Sequence, residues 1–357
     1  MILKKSCLKI LIVFILSTLS LSSYSTEQNV YPDTKWSKAK KPEDLGYSSE
    51  KLAKAKEFAD GLKTAAVMII VNGQVLYEWG ETGKKYYVHS ARKSFLSALY
   101  GKYVKNGTID LNMTMADLGI DDAPPLTEQE KTTTIRNCLK GRSGVYHTAE
   151  AETEGMHKMK PARDSLMPGT YFIYNNWDFN VAGTIFKNLT GKGIFEALKE
   201  DIADPILMED FAVKDCNSYK TGRSVHEAYM FALTARDMAR FGLLMLRNGK
   251  WKDKQIIPEK WVKESTAYYS DAALFNRDGF GYMWWVAKDN NNFPHLKNVD
   301  LKEGTYSARG YGGHCLYVIP EYDMVFVHRT DTFVSGNNVS EEDIGKILNL
   351  IFEAKLK

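Results

Sequence analysis

The sequence predicts a mixed α/β protein, with sheet built from both ends of the chain and helices from its middle. Three observations carry this. Residues 65–71 and 74–79 are strand-like runs joined by Asn72-Gly73, a pair that supplies the two positive φ angles of a type I′ hairpin turn. Residues 279–287, 305–319 and 324–330 read as three more strands, and the turn Pro320-Glu321-Tyr322-Asp323 sets the last two antiparallel. Between residues 108 and 208 strand-like alternation nearly vanishes, and apolar spacing turns helical or irregular.

Taken in order, residues 1–25 carry Lys4, Lys5 and Lys9, an apolar run over 10–16, and small residues at Ser23 and Ser25. This reads as a secretory signal peptide, since spanning a bilayer takes about 20 apolar residues. No cysteine follows the apolar run, so the mature chain is expected to be periplasmic or secreted, without stable membrane insertion. The formal charge of +3 would leave with the leader lysines, and no basic arm points to nucleic acid. Cys138, Cys216 and Cys315 then remain, an odd number that permits at most one internal disulfide. None lies in a metal-binding spacing, so neither a metal nor an organic cofactor is expected. Roughly 330 mature residues exceed the usual single core. Two lobes are therefore expected, a sheet lobe from 26–107 and 209–357 and a helical lobe from 108–208.

Ser48 or Ser49 caps an amphipathic run, Leu52, Ala55, Phe58, Ala59 and Leu62, that reads as a helix. After the hairpin, Phe95, Leu96, Leu99, Tyr100 and Val104 mark a helix ending near Asn106-Gly107. Ser90 falls in its first turn, where residues three apart share a face and Lys93 can reach the hydroxyl. Ser-x-x-Lys also occurs at Ser6, Ser37 and Ser48, so spacing alone does not select Ser90.

Residues 134–139, 177–189 and 194–202 are helix candidates, with Gly191 and Gly193 punctuating the last two. The long polar stretch 146–167, holding His147, Glu150, Glu152, Glu154 and His157, is expected to roof a cleft while adding little apolar burial. Further helices are expected over 234–246, closed by Asn248-Gly249, over 259–265 after Ile257-Pro258, and over 341–356, where the last can cover the sheet.

Two more patterns single out Ser90. Pro168-Gly169 opens an aromatic stretch ending in Tyr174-Asn175-Asn176, the one Tyr-x-Asn in the chain, and Gly310-Tyr311-Gly312-Gly313-His314 interrupts a strand-like run. In this order, with 234–242 and 281–285 between and around them, the motifs resemble those of penicillin-recognising serine hydrolases. That group includes class C β-lactamases, DD-peptidases, and related esterases and amide hydrolases. The resemblance implies an antiparallel sheet flanked by helices plus an all-helical lobe, with a nucleophile at their junction. It implies Ser90 as nucleophile, Lys93 as its helper, Tyr174 as base and proton shuttle, and Asn176 as a contact to the substrate. It also implies a facing wall at Tyr311, Gly312 and Gly313, and an oxyanion hole from the backbone N–H groups of Ser90 and His314.

One departure stands out. Where β-lactamases and DD-peptidases of this group typically carry Lys or His, then Thr or Ser, then Gly, this chain has Tyr311-Gly312-Gly313. That version is more similar to the esterase and 6-aminohexanoate-dimer hydrolase branches. Arg309 could replace the missing cation if its face of the strand meets the cleft. The leading expectation is an exported serine hydrolase acting on a small ester, amide or peptide-like substrate through an acyl-enzyme on Ser90. A β-lactamase or DD-peptidase is the enzyme alternative, and a penicillin- or peptidoglycan-binding sensor the non-catalytic one. Trp284 and Trp285 read as core, one of them at the cleft edge.

Overall fold

The computed structural model describes residues 29–277, 279–289 and 294–357; the segment 1–25 read as a leader lies outside them. One antiparallel sheet of eight strands organises the chain: β1 (Thr64–Val71), β2 (Gln74–Gly80), β3 (Ser270–Asp271), β4 (Gly279–Phe280), β5 (Trp285–Val286), β6 (Tyr306–Arg309), β7 (Cys315–Ile319) and β8 (Met324–Thr330), in the order β2-β1-β8-β7-β6-β5-β4-β3. The hairpin β1–β2 turns at Asn72 and Gly73, with φ of 50° and 73°.

Sequence reasoning fused strands here. The run 279–287 is the hairpin β4–β5, reversed at Met283 with φ 60°. The run 305–319 is the hairpin β6–β7, with Arg309 opposite Cys315. Glycines at 312 and 313, with φ of 80° and 94°, let the chain fold back where apolar composition alone reads straight on.

Strand β1 is apolar throughout because both faces are covered. Val67, Ile69 and Val71 face α1 (Ser49–Asp60) and α9 (Glu341–Glu353), whose Leu52, Ala55, Ile344, Ile347, Leu348 and Ile351 are buried in the same cluster. Each such aliphatic side chain adds about 1.5–3 kcal/mol of burial. Ala66, Met68 and Ile70 face the opposite way, into the larger core with α2 (Arg92–Lys105) and α7 (Ala235–Leu246). Helix α7 lies so close that a Cβ on Gly242 would sit 2.5 Å from Val325 Cγ1.

Beyond this face come α3 (Ile135–Leu139), α4 (Glu154–Lys158), α5 (Asn176–Thr190) and α6 (Ile194–Leu198), followed by one π turn over Lys199–Ala203; α8 (Glu259–Ser265) packs beside α2. The described helix α2 is buried on nearly every side rather than amphipathic. Partners reach it from three directions: Ser94 Oγ donates to Met283 O, Tyr100 Oη to Ala182 O, and Trp261 Nε1 to Ser97 O. Among the described residues no helix is long and apolar enough to cross a membrane. All three described cysteines are free thiols.

The stretch 146–167 is a pinned element, not a loose polar roof. Glu150 is fully buried and accepts from Thr221 Oγ1 at 2.7 Å, Gly222 N at 2.8 Å and Arg223 N at 2.9 Å. Glu152 pairs with Lys160, both nearly inaccessible. A charge in such a sequence window reads as solvated; here Glu150 satisfies backbone donors that only the fold brings near. Glu150→Ala should therefore lower the unfolding free energy by about 2–4 kcal/mol, because it strands buried donors. Urea denaturation measures this; a wild-type midpoint would restore the dispensable-roof reading.

Candidate active site

Three elements meet in one cavity of about 310 Å³, lined by Ser90, Tyr174, Trp285, Arg277, the 309–314 segment and residues near the start of α9. Ser90 stands in a short 3₁₀ turn, His89–Ala91, that feeds α2, so it precedes the α-helix rather than occupying its first turn. Lys93 lies one turn on, with Nζ 2.8 Å from Ser90 Oγ. The lysine is 1% exposed, and its Nζ sits 4.7 Å from the Tyr174 ring centroid and 5.2 Å from that of Phe179. Burial first, then the neighbouring Arg92 guanidinium, holds the amine well below the usual lysine range.

Tyr174 arrives on an extended segment clamped just past it. Asn175 caps α5 by accepting from Trp177 N at 3.2 Å, and its amide donates to Val145 O at 2.7 Å and Asp178 Oδ1 at 2.8 Å. Burial raises the phenol above its ordinary value, against the opposing pull of the Ser90 hydroxyl, Arg92 and Arg277. Burial thus favours a neutral amine and a neutral phenol side by side. Trp285 stacks on Tyr174 at 5.2 Å and 24°, so of the two tryptophans it is the one at the cleft.

The facing wall is the β6–β7 turn. Tyr311 stands 67% exposed at its rim. A Cβ on Gly310 would fall 2.3 Å from Val88 O, one on Gly312 2.4 Å from Thr332 Cγ2, and one on Gly313 2.7 Å from Val339 O. The glycines are therefore required by packing behind the wall as well as by any ligand in front. Gly310 donates its N–H to His314 O at 2.7 Å, with no return bond from His314 N–H among the described residues. Ser90 N–H likewise makes no backbone bond outside its own helical turn among the described residues.

Asn176 is not brought to the cavity. It is 2% exposed, its amide donates to Ala151 O at 2.6 Å, and it is absent from the lining. The first position of α5 turns its side chain toward the 146–167 segment instead. Sequence reasoning missed Arg277 and Glu341. Arg277 packs 4.2 Å over Trp285 and pairs with Glu341, which also lies 3.4 Å from Arg309 Nη1. Burial raises the Glu341 carboxyl, but Arg309 and Arg277 more than offset it and hold it at about 2. Glu341 opens α9, so in the sequence it reads only as a first-turn acid suited to the helix dipole. Arg277 carries no local signal at all.

Residues 50–344 match the Beta-lactamase family. The chain belongs to that family. An uncharacterized protein of Alkalihalophilus pseudofirmus is 21% identical over 300 residues, covering 76% of this chain and 84% of that one. Protein flp of Staphylococcus aureus strain MW2 is 24% identical over 191 residues, 47% of this chain and 38% of flp. A solved Bacillus anthracis protein, provisionally named a 6-aminohexanoate-dimer hydrolase, superposes with TM-score 0.64 at 22% identity, covering 90% of this chain and 88% of that one. A family VIII carboxylesterase gives TM-score 0.60 at 13% identity, with 90% and 99% covered. At these identities the structures establish a shared fold, and it is the antiparallel sheet with flanking helices implied by the motifs.

Two buried histidines, His314 and His328, and the half-buried His89 cluster at the wall. Burial, then Arg329, lowers His89 to about 4; burial leads in lowering His328 to about 4 and His314 well below its usual value. Their folded pKa values lie below the ordinary 6.5, so the unfolded chain binds more protons on acidification. Their contribution to stability is full above pH 6.5 and is lost as pH falls toward 4. The melting temperature should drop across that window, and His89→Asn should make the drop shallower. A flat profile in the wild type would mean that these imidazoles are protonated in the fold.

Proposed function

We propose that this protein is an exported serine hydrolase that cleaves an ester or amide bond of a small-molecule substrate through an acyl-enzyme on Ser90. The observation that carries the reading is the Ser90 hydroxyl at the cavity wall, 2.8 Å from an amine that burial drives toward neutrality. A serine attacks poorly until a neighbour takes its proton, and a desolvated lysine can do so at neutral pH. In this mechanism Lys93 accepts the proton as Oγ bonds to the acyl carbon. The N–H groups of Ser90 and His314 receive the oxyanion, each worth about 2.7–4 kcal/mol. Tyr174 passes a proton to the departing oxygen or nitrogen, and water then reverses the steps to release the acid. The motif resemblance gives Tyr174 the role of base; the burial of both groups supports Lys93 as base and Tyr174 as shuttle. The leader-like residues 1–25 support export.

A β-lactamase or DD-peptidase is the second reading, favoured by one observation. Two guanidinium groups, Arg277 and Arg309, line the cavity, both paired with the Glu341 carboxylate, and cations at a cavity wall suit an anionic substrate. Both arginines are nevertheless engaged with Glu341, and the motif cation and hydroxyl are missing, so the ester or amide reading leads.

Ser90→Ala should abolish hydrolysis, and a fluorophosphonate should label Ser90 and nothing else. Fluoride leaves without protonation, so labelling needs the base but not the shuttle. Lys93→Met should then lose labelling together with about 10²–10⁴ in kcat, whereas Tyr174→Phe should lose turnover and keep labelling. Equal loss of labelling in both would return the base to Tyr174. To separate the two readings, the leading one expects wild-type kcat/KM to be higher for p-nitrophenyl butyrate than for nitrocefin, and Arg277→Gln should widen the gap. Nitrocefin turnover at or above the ester rate would put the β-lactamase reading first.

A further inference from the structure

Behind the Gly312-Gly313 wall lies a buried imidazole that the proposed chemistry does not use. His328, on β8, is inaccessible to solvent, and its Nδ1 is 2.8 Å from Gly313 O. A carbonyl can only accept, so Nδ1 carries the proton. The neutral ring then presents Nε2 as an acceptor, and Thr64 Oγ1 donates to it from β1 at 3.0 Å. One tautomer is therefore fixed by two bonds.

The peptide that His328 grips is the one whose N–H belongs to His314. A trans peptide is planar, and its C=O and N–H point in opposite directions. Holding the Gly313 carbonyl into the core therefore turns the His314 N–H the other way, toward the cavity that His314 lines with Ser90. Such a peptide needs holding. Gly313 has φ 94°, in the region where glycine rotates freely, and the preceding residue is also glycine. The far side is anchored as well, because the His314 ring accepts from Arg329 Nε at 2.9 Å and lies 3.3 Å from Thr332 Oγ1.

We propose that His328 is a positioning residue: its Nδ1–H, bonded to the Gly313 carbonyl, aims the His314 backbone N–H at the oxyanion of the acyl-transfer step. The proposal rests on the Ser90 reading above. Its effect falls on the transition state, because the substrate carbonyl carries little charge until attack. Loss of the grip should lower kcat and leave KM nearly unchanged.

The test compares His328→Leu, which removes the donor, with His328→Asn, whose Nδ2 replaces Nδ1, using p-nitrophenyl butyrate and the full-length protein. His328→Leu should lower kcat about tenfold or more with KM within about twofold, and His328→Asn should restore most of the loss. Equal losses in both variants, or a rise in KM with kcat preserved, would overturn the proposal. If His328→Leu does not fold, Thr64→Val decides: it frees the tautomer from outside the core and should cost about three- to tenfold in kcat at an unchanged melting temperature, and a wild-type kcat would overturn the proposal. Fluorophosphonate labelling separates the two levels. Labelled Ser90 with wild-type kcat in His328→Leu overturns this inference alone, whereas an unlabelled Ser90 in an inactive wild type overturns the reading beneath it.

Discussion

The burial of Lys93 is the constraint on which the site depends. An ammonium group in that position would forfeit its hydration, a cost of several kcal/mol that a protein normally avoids by pairing the charge or neutralising it. Among the described residues no carboxylate is within salt-bridge distance of Lys93, and the Arg92 guanidinium pushes the same way. The aromatic faces of Tyr174 and Phe179 complete the enclosure. Desolvation and like charge together lower the proton affinity of the group, and the 3₁₀ turn sets the serine hydroxyl beside it.

That burial is possible because α2 is enclosed by the sheet, α5, α6 and α8, and much of its polar surface is met by segments far away in the chain. Ser94 and Tyr100 donate to backbone carbonyls of distant segments, and Arg92 donates to Asn180 at 3.1 Å. The helix is thus registered from several directions, and its N-terminal end, which opens into the cavity, inherits the precision. The opposite wall is registered by other means: two left-handed glycines, a histidine on a carbonyl, and the Thr332 hydroxyl, which lies 2.8 Å from His89 Nε2 and 3.3 Å from His314 Nε2. Thr332 thereby ties the residue preceding Ser90 to the residue closing the wall.

The charges around the cavity show how little a local window says about electrostatics. Arg309 follows the alternation of β6, yet which face of that strand meets the cleft depends on how the sheet curls around α2. Arg277 and Glu341 are separated by 64 positions and meet only because α9 returns across the sheet. Glu150 has the same origin: its carboxylate is filled by donors from residues 221–223, which no spacing rule relates to it.

By itself the sequence determined the hairpin at Asn72-Gly73, a serine cap at 48 or 49, the turn at 320–323, and the three motifs holding Ser90, Lys93, Tyr174 and the glycine wall. Those are local matters: φ preference, a side chain reaching a backbone N–H within one turn, and the three-residue face of a helical turn. Tertiary structure alone decided that 279–287 and 305–319 each fold back into hairpins, that Asn176 turns away from the cavity while Trp285 faces it, and that burial lowers the proton affinity of Lys93. Strand breaks, facing and pKa depend on what lies across a gap in space, and that neighbour is set by the packing of elements far apart in the chain.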